Sequence, residues 1–441
     1  MTQCTDKPFA FSSLQRQQII ADFNGGRLTS DAGALLLREV DRRIGLTQAL
    51  AGCIADPRDP AKITHELRTM LAQRIFGIAM GYEDLNDHET LRDDPLMALL
   101  AEQRPDPDEP LASPSTLCRF ENAVNRESLV RMSRVLVDQF MASHDRPPEE
   151  IVLDFDATDD PVHGSQEARF FHGFYDGYCF LPLYVFCGDR LLVAYLRPSN
   201  IDAAKHARAI LRLLVDRIRQ DWPDTRVVFR GDSGFCRWKL LRWCERHGIS
   251  YVVGIARNKV LERRAARHLR TARKAFEKTG CKQRHFHEFR YAAGTWDRER
   301  RVIVKAEYLD QGPNARFLVT NLAESPQEMY DGRYTARGDM ENRIKEQQLE
   351  LFADRTSCHA FAANQLRLLL ASAAYVLLEH LRRVVLAGTE LARAQVGTIR
   401  LKLLKVAARV VTSVRRVVFH LSSSYPYQTL FRLLVARLTA S

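Results

Sequence analysis

No CxxC pair, no internal repeat, no low-complexity tract and no bilayer-length apolar run occurs in this chain of 441 residues. Its nine cysteines are odd in number and irregularly spaced. That pattern excludes a disulfide framework and a cysteine-based zinc site, and points to reduced thiols. Cys179 and Cys187 lie in apolar, strand-like sequence and read as buried. His285 and His287 alternate on an expected strand, and no partner cluster accompanies them to make a metal site. The most lipid-like run, Leu368 to Leu378, is bounded by Arg367 and Glu379 and is too short to cross a bilayer. Met1-Thr-Gln-Cys4 lacks the basic start and apolar core of a signal peptide. Together these absences predict a cytoplasmic protein and leave the structural and membrane classes without a feature in their favour.

What is present is unevenly spread charge. The formal net charge is +11. Residues 363–441 hold 12 Lys/Arg against 2 Asp/Glu, and residues 262–305 hold 14 against 5. These blocks account for +10 and +9, so the remainder carries −8. Two basic blocks on a mildly acidic body attract a polyanion by Coulomb forces and counterion release.

The chain reads as more than one structural unit. Residues 1–147 are expected to be helical. Thr29 and Ser30 are candidate caps for a helix carrying Leu35, Leu36, Val40 and Ile44. Thr64 is a candidate cap for one carrying Leu67, Met70, Leu71, Ile75 and Ile78, which Gly81 ends. After a proline-rich loop, Ser115 is expected to cap a helix through Arg119, and Ser128 to Met141 forms another. Residues 148–257 change character: strands at Ile151–Asp156, Phe170–Cys187 and Leu191–Leu196, a helix over Ala203–Trp222, a strand at Arg226–Phe229, a helix over Arg237–His247 and a strand at Ser250–Ile255. That order fits an α/β fold, a ribonuclease-H-like mixed sheet flanked by helices. Residues 258–325 read as an inserted basic helix with a β element, residues 326–362 as a return to the catalytic fold, and residues 363–441, including 399–421, as a basic helical tail.

Three acidic segments carry candidate chemistry. In Ile151-Val-Leu-Asp-Phe-Asp156, alternation puts Val152, Asp154 and Asp156 on one face. Two acids on a buried strand are costly unless compensated, and a divalent cation is one compensator; the alternative is an exposed strand end. In Val227-Val-Phe-Arg-Gly-Asp232-Ser-Gly234, an apolar strand ends in an aspartate flanked by glycines, where ligands of α/β sheets gather; the alternative is a helix-capping turn. Tyr334, Arg337, Glu341 and Lys345 fall on one helical stripe, with an exposed salt-bridged face as the alternative. Two aspartates and a later glutamate can converge on two Mg²⁺ ions, with Mn²⁺ as a substitute, for in-line displacement at phosphorus. Arg337 or Lys345 is then a candidate phosphate contact.

At these residues the sequence resembles the DDE transposases of bacterial insertion sequences, within family thirteen-eighty and the broad group of the IS-four type. The matching elements are Leu153-Asp-Phe-Asp156-Ala-Thr158, His172-Gly-Phe-Tyr175 through Cys179-Phe-Leu-Pro-Leu183, Arg230-Gly-Asp232-Ser-Gly-Phe235, Glu341-Asn-Arg-Ile-Lys345-Glu346 and Gly81-Tyr-Glu-Asp-Leu-Asn86. They run in the family's order over most of the chain. The resemblance implies that Asp156, Asp232 and Glu341 are the catalytic, metal-binding triad, with Asp154 as the rival first ligand. Tyr334 and Arg337 complete the Tyr-x2-Arg-x3-Glu pattern. The lysine that the IS-four type has seven residues after the glutamate is replaced here by Gln348. The implied activity is binding of double-stranded inverted-repeat DNA, metal-dependent cleavage at its ends and joining of the freed 3′-hydroxyl to target DNA, by a dimer. The helix from Pro114 to Arg119 becomes a candidate DNA reader. The competing expectations are a nuclease of the same fold that cuts without joining, and a non-catalytic DNA-binding relic.

Overall fold

Residues 9–14 and 17–21 form strands, not helix. The computed structural model describes residues 8–440, so the Met1–Cys4 segment lies outside the described residues. Two compact units result, one of Met1–Val124, Glu350–Phe352 and Ala373–Ser441, the other of Asn125–Leu349 and Ala353–Ser372.

In the first unit, β1 (Phe9–Leu14) and β2 (Gln17–Ala21) form an antiparallel hairpin. β3 (Leu28–Thr29) pairs with Ala408–Thr412, which pairs in turn with Val417–Leu421. The wholly helical N-terminal region and the helical 399–421 tail are therefore corrected. Helix stops at the turn Arg400–Leu404. Beyond it, Val410, Val411, Val417 and Val418 are β-branched and stiff at χ1, which favours the pleat over a helix. A further helix, Gln428–Thr439, closes the unit.

The N-terminal helices occur where periodicity put them, but their starts differ. Leu35–Ile44 follows a tight turn at Ala32–Ala34, with no cap from Thr29 or Ser30. Leu67–Met80 begins after Glu66, not at Thr64, and Gly81 ends it at φ +96°. Ser113, not Ser115, caps Pro114–Ala123 by accepting from the Thr116 amide. Between these helices Arg74 and Glu121 form a fully buried ion pair at 2.8 Å. His88 contacts Arg74 through Nε2 at 3.1 Å, and Gln73 Nε2 lies 3.1 Å from its Nδ1.

The second unit is built on an eight-stranded sheet. β4 (Glu150–Ala157) is followed by the short β5 (Asp160–Pro161), β6 (Phe170–His172) and β7 (Gly177–Phe180), which form a small sheet of their own. Next come β8 (Leu183–Cys187), β9 (Arg190–Tyr195), β10 (Arg226–Gly231), β11 (Ser250–Ile255), β12 (Gln283–Tyr291), β13 (Arg300–Leu309) and β14 (Gly312–Thr320). The main sheet runs β12-β13-β14-β11-β10-β4-β8-β9. β4, β10 and β11 are parallel; β8 and β9 on one flank, and β14 on the other, are antiparallel to their neighbours. The segment expected as an insert is one in sequence only, since β12 to β14 continue the main sheet in space. His268 of the Lys259–Thr279 helix stacks on His287 of β12 with centroids 4.2 Å apart.

Alternation then decides the two faces. Leu153, Phe155, Val227 and Phe229 enter a core shared with the helices Ala207–Asp221 and Trp238–Arg246. On the other face Val228, Val252, Ile303 and Leu318 pack against Met329 and Tyr330. The chain from Phe361 runs helically to Val385, longer than the eleven-residue apolar run. By length and composition it is apolar enough to cross a membrane, but 83% of its apolar window is buried, as in a core helix.

Candidate active site

The register of three parallel strands assembles the site. Val228 stands opposite Val152, and Arg230 opposite Asp154. Arg230 also stands opposite Val252, and Gly231 opposite Val253. Continued by one residue beyond Gly231, the same rows align Asp232 with Asp156 and with Gly254. The two aspartates thus share a face at the carboxyl ends of adjacent strands.

The two acids of β4 have different fates. Asp154 is 2% exposed. Arg230 answers it through Nε and through Nη2 at 2.6 Å from Oδ2, while Nη1 donates to the Arg333 carbonyl. This is a closed, hydrogen-bonded ion pair inside the fold. Asp156 has no such partner on a neighbouring strand. Its Oδ1 accepts from the Ala157 amide, and its Oδ2 lies 3.3 Å from Arg337 Nη1.

Asp232 directly follows β10 and caps the tight turn Ser233–Phe235, its Oδ1 accepting from the Gly234 amide at 2.9 Å. Here the capping reading holds. Glu341 is exposed on the helix Gly338–Lys345 and accepts from Arg337 Nη2 at 2.7 Å. Arg337 therefore reaches Asp156 with one nitrogen and Glu341 with another.

The electrostatics tie the three acids together. Burial pushes the Asp156 carboxyl up to about 7; Arg337 opposes the shift, and the neighbouring charges of Asp232 and Glu341 add to it. Burial raises the Tyr334 hydroxyl, with Arg337 lowering it and Asp232 raising it. One guanidinium thus stands among three carboxylates. Among the described residues, no three His, Cys, Asp or Glu side chains stand together at metal-ligand spacing.

Of the expected residues, Asp156, Asp232, Tyr334, Arg337 and Glu341 come together. Lys345 is exposed further along the Glu341 helix, and Arg119, exposed in the other unit, donates to the Thr116 hydroxyl at 3.0 Å. Gln348 Nε2 donates to the Asp159 carbonyl and to Asp160 Oδ1, both at 2.9 Å, so it anchors the helix to the turn after β4. Gly254 went unnoticed in the sequence, and Tyr175 was seen only as part of a matching run with no role of its own. A Cβ on Gly254 would lie 2.6 Å from the Tyr334 hydroxyl and 3.0 Å from the Ser233 amide nitrogen. Tyr175 has its hydroxyl pushed up to about 12 by burial, then by Asp159, Asp156 and Asp232. A glycine in the strand next to Asp232 was the one available signal.

The fold and these acids define a mixed α/β protein with a carboxylate site at its strand ends. The chain belongs to the family described as transposase DDE domain group 1, which matches residues 11–441. No curated relative matches it. Among solved structures it is similar to a piggyBac transposase synaptic complex with hairpin DNA, at 11% identity and a TM-score of 0.44, over 93% of this chain and 82% of that one.

Proposed function

We propose that this transposase cuts the ends of a bacterial insertion sequence and joins them to target DNA, with Asp156, Asp232 and Glu341 as the catalytic carboxylates. The observation that carries the reading is the mutual influence of these three acids, distant in the chain, around Arg337. The strand order β9-β8-β4-β10-β11, with β4, β10 and β11 parallel, supports a ribonuclease-H-like core.

The residues fit a divalent cation. The donor set is all carboxylate oxygen, which suits Mg²⁺ with Mn²⁺ as a substitute. Asp156 keeps a raised proton affinity even beside Arg337, so its anion is under-compensated. Asp156 and Asp232 would hold the ion from the sheet and Glu341 from its helix, once released from Arg337. When bound, such an ion supplies Lewis acidity at phosphorus and lowers the pKa of the attacking oxygen. Arg337, freed from the acids, would grip a non-bridging phosphate oxygen, and Tyr334 would hold it in position. Cleavage adds water at phosphorus and frees a 3′-hydroxyl. Joining uses that hydroxyl as nucleophile and expels the target strand's own 3′-oxygen.

Double-stranded DNA is the partner, engaged by a dimer that holds two ends. The Lys259–Thr279 helix buries Leu261, Ala265, His268 and Ala272 and leaves Arg263, Arg264, Arg267, Arg270, Arg273 and Lys274 exposed, a basic stripe suited to phosphates. Arg119 and Lys345 are further candidate DNA contacts.

The test is incubation with the element's own inverted repeats and Mg²⁺, with strands resolved on a denaturing gel. Wild type should nick at the repeat ends and, given pre-cut ends, join them to a plasmid. Asp156→Ala, Asp232→Ala and Glu341→Ala should each lower cleavage by at least about a thousandfold, the scale of losing a metal-activated step, while retaining end binding. Cleavage near wild type in a double-alanine variant would refute the assignment. Cutting without joining would make the chain a nuclease.

A further inference from the structure

The small sheet that follows Asp156 carries aromatic rings for which the carboxylate chemistry has no use. β5 begins four residues after Asp156 and pairs with β7, which pairs with β6. Its base is tied down: the Thr158 amide donates to the Pro182 carbonyl at 3.3 Å, and the Val162 amide to the Tyr178 carbonyl at 2.8 Å.

The hairpin tip, His172 to Gly177, is held in one shape. The Tyr175 amide donates to the His172 carbonyl at 3.1 Å, and the Phe174 amide to His172 Nδ1 at 3.3 Å. Asp176 takes a left-handed φ of 52°. The Tyr175 ring packs on His172 at 4.9 Å and meets Phe174 edge-on at 5.0 Å. Tyr175 is about half buried at the tip, and burial, then Asp159, Asp156 and Asp232, push its hydroxyl up to about 12. Phe174, its neighbour, is 84% exposed. Behind it Phe171 and Tyr178 are about half exposed and pair edge-to-face at 5.8 Å, and the Arg169 guanidinium lies 4.6 Å above Tyr178.

Large rings held rigidly in water beside a phosphodiester-cutting site match one ligand chemistry well. We propose that Phe174 is a stacking platform for an unpaired nucleobase of the DNA strand whose backbone enters at Asp156 and Asp232. The proposal rests on the reading of the chain as a DNA-cutting enzyme. A strand threading past buried acids keeps its phosphates at the cation and turns its bases outwards. An aromatic face close by accepts any base, because every base has a π-face. The paired strands β5, β7 and β6 tie the tip to the end of β4, so the stacked base and the reacting phosphate would keep a set spacing. A protein partner fits less well: Arg169 and Asp176 flank the rings, which present separate faces instead of one continuous apolar patch.

Phe174 is exposed, so its replacement leaves the core intact. The probe is a single-stranded oligonucleotide carrying 2-aminopurine, titrated without divalent metal, beside a duplex of the same sequence. Wild type should bind the single strand and quench the fluorophore. Phe174→Ala and Phe174→Leu should weaken single-strand binding by about tenfold or more, as loss of one base–aromatic stack does. Phe174→Trp should retain it, and duplex binding should hardly change. Wild-type affinity and quenching in Phe174→Leu would overturn the proposal, because leucine keeps the apolar contact and cannot stack. Failure of the wild-type protein to bind the single strand would overturn it equally. Asp156→Ala, run in parallel with Mg²⁺ and repeat-end duplex, should lose cleavage and keep the quench, so failure of the cutting reading shows separately.

Discussion

Asp154 and Asp156 share a strand face, yet only Asp154 is closed off in a buried ion pair with Arg230. Alternation in the sequence made both visible and gave no way to choose. The choice is made by Arg230, which stands directly across from Asp154 on β10, and cross-strand register is a long-range property. The cation expected to compensate both acids is unnecessary for Asp154, whose partner is an arginine. Removing that partner strands a buried carboxylate, which typically costs about 3–5 kcal/mol. Arg230→Met should therefore lower stability by that order in denaturant unfolding. Asp156→Ala should leave the midpoint close to wild type, since it removes a charge that burial already penalises. Equal stability of Arg230→Met and wild type would mean that the ion pair does not matter to the fold.

At the scale of elements, periodicity found most helices and the central strands of the second unit within a few residues, because those helices are long and those strands strongly apolar, but the run Phe170–Cys187, read as one or two strands, is three strands divided between two sheets. It missed the terminal strands of the first unit, where β-branched runs are short and flanked by helix formers. It also read β12 to β14 as an inserted β element. Their pairing to β11 runs through β14, the last of the three in sequence, and local pattern does not reveal that. The carboxylate site depends on the approach of β11 to the Tyr334 turn, which Gly254 permits. Gly254→Ala should lower cleavage at least tenfold with a stability loss of roughly 1–3 kcal/mol, the range for overpacking. Tyr334→Phe in the same chain should recover part of that stability by removing the clashing hydroxyl. A double variant no more stable than Gly254→Ala, measured by thermal melting, would place the conflict elsewhere.

For the whole molecule, charge distribution was legible from composition, while the buried polar network of the first unit was not. Burial, then Arg74, push His88 down to about 3, well below its ordinary 6.5. Between those values the unfolded chain binds a proton that the folded chain refuses. Stability is therefore complete above about pH 6.5 and is lost as pH falls towards 3. From pH 7 to pH 5 this histidine should remove about 2 kcal/mol. His88→Gln should flatten that part of the profile in chemical denaturation; an unchanged slope would show that His88 is not the group responsible. If Asp156, Asp232 and Glu341 hold one cation between them as proposed, Mn²⁺ titration followed by electron paramagnetic resonance should show bound Mn²⁺ in the wild-type protein, and loss of most of that signal in Asp156→Asn and in Asp232→Asn at unchanged fold. Wild-type Mn²⁺ affinity in both variants would refute the shared cation site.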